Sequence, residues 1–123
     1  EAKTLVIYDS STANEKFLSR IPQCVEVEKV STDNPELISR LLAKRGCNKV
    51  LWECGPRLAT SAVKSGCINE IISFIAPKIL GGENSMNPFG DFEFQEMHEI
   101  LELNESNISF IGNDICVKSS LKN

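Results

Sequence analysis

One histidine, one tryptophan and one tyrosine occur among 123 residues, and the scarcity of histidine is the most restrictive of these absences. A structural zinc site needs four Cys or His ligands at short spacings. Here His98 stands alone beside five scattered cysteines, Cys24, Cys47, Cys54, Cys67 and Cys116, with no C-x-x-C pair. No metal site is expected. An odd number of cysteines also argues against a disulfide framework and fits free thiols in a reducing compartment. No run of about eighteen apolar residues occurs, and no basic, apolar, small-residue segment opens the chain, so neither a membrane span nor an export signal is expected. Excess positive charge is missing too. The 13 Lys and Arg stand against 17 Asp and Glu, and the net charge of −4 offers no field to nucleic acid or to an anionic membrane. Internal repeats and low-complexity segments are absent.

What remains has the make-up of an ordinary globular protein, 41% hydrophobic and 24% charged, in a cytoplasmic or organelle-stromal setting. The length suits one domain or part of one, with enough residues to bury a core.

The chain is organised around the stretch 49–66, where Val50, Leu51 and Trp52 read as a buried parallel strand that ends in Glu53 and Gly55. Gly55 is expected to permit a turn closed to other residues, and Pro56 is pre-set for a first helical position, where its missing N–H costs nothing. Leu58, Ala59, Ala62 and Val63 then recur at helical spacing until Gly66 stops the helix. Such a strand, turn and helix aims free N–H groups and the positive end of a helix dipole beyond the strand, a seat for phosphate. The same pattern without Glu53 would be an ordinary connection. A carboxylate closing an apolar strand beside a helix N-terminus points instead to a polar ligand, the alternative being that Glu53 caps the helix.

Around this stretch the order of elements is that of an α/β protein. Residues 4–8 form an apolar strand run, and Thr12 with Glu15 resembles a capping box for a short helix through Phe17 and Leu18. The hydroxyls of Ser10, Ser11 and Thr12 could alternatively meet a ligand phosphate. Cys24–Val30 alternates as a half-exposed strand, and Asn34 with Pro35 opens a helix whose stripe is Leu37, Ile38, Leu41 and Leu42. Lys44 and Arg45, at its C-terminal end, read as a solvated face. Ile68–Pro77 is a further apolar strand, which makes the front of the chain an alternation suited to a parallel sheet. After Pro77 the pattern changes. A polar loop spans Glu83–Gly90, residues 92–103 favour a strand and hairpin with a turn at Asn104–Asn107, and Ile108–Ile111 and Ile115–Val117 flank Gly112-Asn113-Asp114 as an antiparallel pair.

The wording Leu51-Trp52-Glu53-Cys54-Gly55-Pro56-Arg57-Leu58-Ala59, then Gly66-Cys67-Ile68-Asn69-Glu70, then Ile75-Ala76-Pro77-Lys78-Ile79-Leu80-Gly81-Gly82, closely resembles the reductase domain of the riboflavin-biosynthesis deaminase–reductase family. Ile111-Gly112-Asn113-Asp114-Ile115 resembles that family's end, and Trp-Glu-Cys-Gly-Pro looks most like its cyanobacterial and plastid branch. The resemblance implies a dihydrofolate-reductase-like α/β fold, a mixed and mainly parallel sheet flanked by helices, with an antiparallel C-terminal hairpin. It implies reduction of 5-amino-6-(5-phosphoribosylamino)uracil to its ribityl product with NADPH. It further implies Glu53 as the substrate-contacting carboxylate, and Gly55, Pro56, Arg57, Leu58, Ala59, Thr60 and Ser61 as the segment wrapping the phosphates of NADPH. It identifies no residue that moves a proton. Cys54 and Arg57 depart from the family's usual smaller residues, but a thiol still fits the turn and a guanidinium adds charge for phosphate.

By the same resemblance, residues 1–123 are the C-terminal portion of a single reductase domain, in which the front of that domain and the upstream deaminase are missing. The fragment is therefore expected to be inactive alone. Family members are often homodimers, and the expected partner is otherwise a small phosphorylated ribosylaminopyrimidine in the cytoplasm or plastid stroma. Two other readings belong to different classes. One is a non-catalytic nucleotide-binding or dimerisation module of the same fold. The other is a cysteine enzyme with Cys54 as nucleophile and His98 as base, for which nothing in the sequence places the two together.

Overall fold

The computed structural model describes residues 2–9, 11, 13–30, 34–82 and 85–121, and the chain divides into two units, Glu1–Trp52 and Glu53–Asn123. The first contains β1 (Leu5–Tyr8), α1 (Glu15–Leu18), β2 (Glu26–Lys29) and α2 (Pro35–Lys44). Strands β1 and β2 pair in parallel, with Leu5 opposite Glu26 and Tyr8 opposite Lys29. The short helix α1 begins at Asn14, whose side-chain oxygen accepts the Phe17 N–H at 2.9 Å, while the expected capping residue Thr12 lies outside the described residues. Helix α2 starts where Asn34 and Pro35 predict, and Gly46, at φ +87°, closes its end in the left-handed conformation that glycine adopts most readily. Arg45 is more than a solvated charge. It bridges Glu26 at 2.7 Å and also pairs with Glu28, so the two outward carboxylates of β2 hold its guanidinium and raise its pKa, Glu28 most strongly.

The second unit contains α3 (Pro56–Lys64), β3 (Glu70–Ile75), a single 3₁₀ turn at Met97–Glu99, β4 (Leu103–Ile111) and β5 (Asp114–Leu121). Its sheet has the order β3-β5-β4 and is antiparallel throughout. The C-terminal hairpin forms as expected, with Gly112 at φ +61° in the first position of a two-residue turn, the conformation that joins tightly twisted strands. Strand β5 is central and carries the buried Cys116 and Ser119, the latter sharing a 2.8 Å hydrogen bond with Ser106.

Four expectations from the sequence are corrected. Val50–Trp52 is not a strand: a strand exists only through its ladder, none of the described strands pairs with these residues, and Leu51 is 79% exposed. The sheet content is not mainly parallel, because the hairpin lays β5 against β3 and leaves the β1–β2 pair as the single parallel ladder among the described residues. Residues 92–103 hold the 3₁₀ turn instead of a strand. The polar run at Asn104–Asn107 is absorbed into β4 as an irregularity, with Glu105 at φ +50° shifting the register, so no chain reversal occurs there. Last, the core is thin. Ala62 and Cys116, with Pro35 at the start of α2, are the buried apolar residues among those described, and no large side chain is fully buried, as expected when a chain packs as two small units with high surface-to-volume ratios.

Candidate functional site

Helix α3 carries the residues singled out from the sequence, and its first turn is open. Gly55 is the N-cap, with φ −72° and ψ 168°, and has no side chain to cap the helix, while Pro56 holds the first helical position. The first intrahelical bond runs from the Ala59 N–H to the Gly55 carbonyl at 3.0 Å. The N–H groups of Gly55, Arg57 and Leu58 have no acceptor among the described residues. No acidic residue occupies the first turn. Instead Arg57 sits exposed at the positive end of the dipole, an arrangement that disfavours the bare helix by about 0.3–1 kcal/mol and that an anion would reverse.

The expectation about Gly55 is corrected in one respect. Its torsions are open to any residue, and a Cβ built on it meets nothing within 4 Å, so the protein itself does not demand a glycine here. Space at Gly55 is therefore space for something outside the chain. Glu53, two residues before, is exposed and takes no hydrogen bond or ion pair among the described residues, so it does not cap α3. Its carboxylate remains available to a ligand.

The rest of the segment divides by direction. Leu58, Ala59 and Ser61 are half-buried, so the first two offer a ligand their backbone only, and Thr60 is 6% exposed. The Thr60 hydroxyl donates to the Pro56 carbonyl at 2.9 Å and accepts the Gly90 N–H at 2.7 Å, which uses its hydrogen and one lone pair inside the protein. Sequence reasoning missed this partner because Gly90 is thirty residues away in a loop with no periodic pattern. The same loop places Phe92 under Lys64, with the ammonium 5.9 Å from the ring centre, and Glu93 beside that ammonium at 3.4 Å. Phe89, Phe92 and Phe94 form a run of aromatic contacts with centroids 5.8 and 5.1 Å apart.

Of the other candidates, Ser10 and Thr12 lie outside the described residues, and the rest have local surroundings of their own. Ser11 donates its N–H to Asp9 at 2.8 Å, and this local turn holds the Asp9 carboxyl below the usual carboxylate range. Cys54 is a free, exposed thiol with no hydrogen bond to His98, whose Nδ1 lies 3.1 Å from Glu96 instead, so the nucleophile-and-base pair is not assembled. Among the described residues no group of three or more His, Cys, Asp or Glu could hold a metal. A shallow polar depression on the sheet, lined by Glu70, Glu105, Asn107, Lys118, Ser119 and Ser120, contains none of the residues named from the sequence.

Residues 1–117 match the family model described as the RibD C-terminal domain. The chain belongs to that family. Members of the RibD C-terminal domain family carry a dihydrofolate-reductase-like fold, and the α/β organisation with its antiparallel C-terminal sheet agrees with it. The chain is 37% identical over 115 residues to the riboflavin biosynthesis protein RibD of Synechocystis, covering 92% of this chain and 31% of that protein. It is 37% identical over 98 residues to the chloroplastic riboflavin biosynthesis protein PYRR of Arabidopsis thaliana, covering 80% of this chain and 16% of that one. The solved structure of Acinetobacter baumannii RibD superimposes with a TM-score of 0.73 at 20% identity, over 98% of this chain and 38% of that structure, a likeness of fold. The chain thus spans less than a third of the length of these two curated relatives.

Proposed function

We propose that residues 1–123 are the C-terminal portion of a RibD-type reductase domain, and that the whole domain reduces 5-amino-6-(5-phosphoribosylamino)uracil to its ribityl product with NADPH. The observation that supports this reading best is the open start of α3: unbonded N–H groups of Gly55, Arg57 and Leu58, an uncapped N-cap, and Arg57 where an isolated helix would prefer an acid. These groups suit a phosphate. They are donors and positive, and the open space at Gly55 lets a ligand approach the backbone closely.

NADPH supplies the hydride that the sugar carbon accepts. The chain's own contribution is binding and orientation. The α3 N-terminus and Arg57 hold phosphate through charge-assisted hydrogen bonds, the kind that combine strength with direction. Glu53, uncommitted within the chain and two residues from that phosphate seat, accepts hydrogen bonds from polar groups of the pyrimidine or sugar and fixes its orientation without itself moving a proton. Pro56, Leu58, Ala59, Thr60 and Ser61 complete the phosphate-wrapping segment by setting the backbone's path.

On this reading the chain alone does not turn over, because one phosphate seat and one carboxylate place one reactant, and hydride transfer needs both at about 3–3.5 Å. The test is NADPH oxidation with the aminopyrimidine ribosyl phosphate, run on residues 1–123 beside the full-length protein. Cofactor binding is followed in parallel by the fluorescence of Trp52, the single tryptophan, which adjoins Glu53. Turnover by the isolated chain near the full-length rate would overturn the division of the site.

A further inference from the structure

The loop after Pro88 is fastened to one stripe of α3. Pro56, Thr60 and Lys64 recur every four residues, so their side chains and carbonyls lie one above another along the helix, about 6 Å apart per step. Each is a contact. The Gly90 N–H donates to the Thr60 hydroxyl at 2.7 Å and approaches the Pro56 carbonyl at 3.3 Å, while Phe92 and Glu93 meet the Lys64 ammonium. Three steps of chain from Gly90 to Glu93 reach at most about 10 Å, ample for the helical turn of about 6 Å that separates Thr60 from Lys64. The loop is thus a strap that runs alongside the helix, beginning at the turn proposed to hold phosphate.

Neither torsion nor space demands a glycine at position 90, since its φ is not positive and a Cβ fits there. A Cβ there would stand 3.4 Å from the Thr60 hydroxyl oxygen and 3.7 Å from the Pro56 carbonyl oxygen, ordinary van der Waals contact, so what fastens the strap is the Gly90 N–H and its acceptors. Nearly buried, with its hydrogen given to Pro56 and one lone pair accepting from Gly90, the Thr60 hydroxyl is turned into the protein.

We propose that Thr60 is a positioning residue that acts through Gly90: it pins the Gly90 end of the strap beside the first turn of α3, so that the wall next to the phosphate seat is in place before the nucleotide arrives. This inference rests on the assignment of the phosphate seat to α3. It differs from that assignment in giving the Thr60 side chain no contact with the cofactor. A wall already ordered spares the ligand the entropy of ordering it, so its loosening weakens binding and leaves the chemical step nearly untouched.

The experiment uses the full-length protein with Thr60→Val, which keeps the volume and removes the hydroxyl, Thr60→Ser, which keeps the hydroxyl, and Gly90→Pro, which removes the N–H that Thr60 accepts from the loop side and leaves α3 unaltered. Amide exchange of peptides covering 89–94 reports the strap, and NADPH titration with steady-state rates reports function. Thr60→Val and Gly90→Pro should both speed exchange in 89–94 and raise the Kd and KM for NADPH about threefold to tenfold, the value of one hydrogen bond, with kcat nearly unchanged. Thr60→Ser should restore both readouts. Faster exchange with unchanged NADPH affinity overturns the positioning role. Weaker NADPH binding in Thr60→Val with exchange unchanged overturns it as well, because Thr60 would then touch the cofactor directly. Gly55→Val, run alongside, separates the two levels: if it too leaves NADPH affinity unchanged, the phosphate seat itself is misplaced, whereas weakened binding there with none in Thr60→Val rejects the strap alone.

Discussion

Helices α2 and α3 start with the same local grammar and end up with opposite chemistry. Each has proline at its first position after a residue in extended conformation, Asn34 at φ −115° and ψ 96° and Gly55 at φ −72° and ψ 168°. At α2 the Asn34 side chain accepts from the N–H of Glu36 at 3.0 Å and of Leu37 at 3.2 Å, and Glu36 places an acid at the positive end of the dipole. That helix start is satisfied from within. At α3 the cap has no side chain, the corresponding N–H groups of Arg57 and Leu58 find no protein acceptor among the described residues, and the first-turn charge is positive. One amide side chain and one charge reversal separate a helix that is finished from one that has room for an anion. Orphan N–H groups are the rule at helix starts, and what distinguishes the two is who answers them.

The sharpest way to break this contrast is at Glu53. In the full-length protein Glu53→Gln should reduce kcat/KM for the pyrimidine substrate about tenfold to a hundredfold, from loss of a hydrogen bond to a charged group worth about 1.5–3 kcal/mol. NADPH affinity and thermal stability should stay as they are, since Glu53 makes no contact that folding depends on among the described residues. A drop in melting temperature with normal steady-state constants would instead make Glu53 a structural carboxylate. Next is Gly55→Val, expected to raise the NADPH Kd about tenfold by filling the space through which a ligand reaches the backbone. That space holds no protein atom within 4 Å, so the stability cost should be only that of valine at an N-cap, about 1 kcal/mol, with the fold intact.

The mirror experiment is on α2. Asn34→Ala removes a real cap and should cost about 1 kcal/mol in denaturant unfolding with NADPH affinity unaltered. If it weakened NADPH binding instead, the distinction between a closed and an open helix start would lose its meaning. Arg57→Ala probes the smaller electrostatic term: without ligand it should stabilise the fold slightly, by about 0.3–1 kcal/mol at low salt, and with NADPH it should weaken binding, so the sign of the effect reverses on saturation.

The smallest effect concerns the 3₁₀ turn at Met97–Glu99, another start closed from within. Glu99 accepts the N–H of Gln95 at 2.6 Å and of Glu96 at 3.0 Å, and these bonds, that from Glu96 foremost, hold its carboxyl below the ordinary value of 4.5. A lowered folded pKa means the stabilisation is fully present above that ordinary value and is lost as pH falls through the folded one. Amide exchange at Gln95 and Glu96 should therefore lose protection only on that acid side, and Glu99→Gln should remove the pH dependence.

Much of the molecule was legible locally. The start of α2 at Asn34 and Pro35, the start of α3 at Pro56, the stop at Gly46 and the turn at Gly112 all rest on backbone chemistry of one or two residues, which sequence displays directly. Family membership was legible for the same reason, as runs of adjacent residues. What sequence alone left undecided was everything that needs a distant partner. Val50–Trp52 has the composition of a strand, yet a ladder needs a second strand, and Ile68–Pro77 reads the same whether its neighbour runs parallel or antiparallel. Arg45 reads as a solvated charge until Glu26 and Glu28 stand beside it, and Thr60 reads as one more polar residue at a helix start until Gly90 arrives from thirty positions away. Torsional preference is a property of a residue and its immediate neighbours. Pairing, burial and the commitment of a hydroxyl belong to two segments at once, so only the tertiary structure decided them.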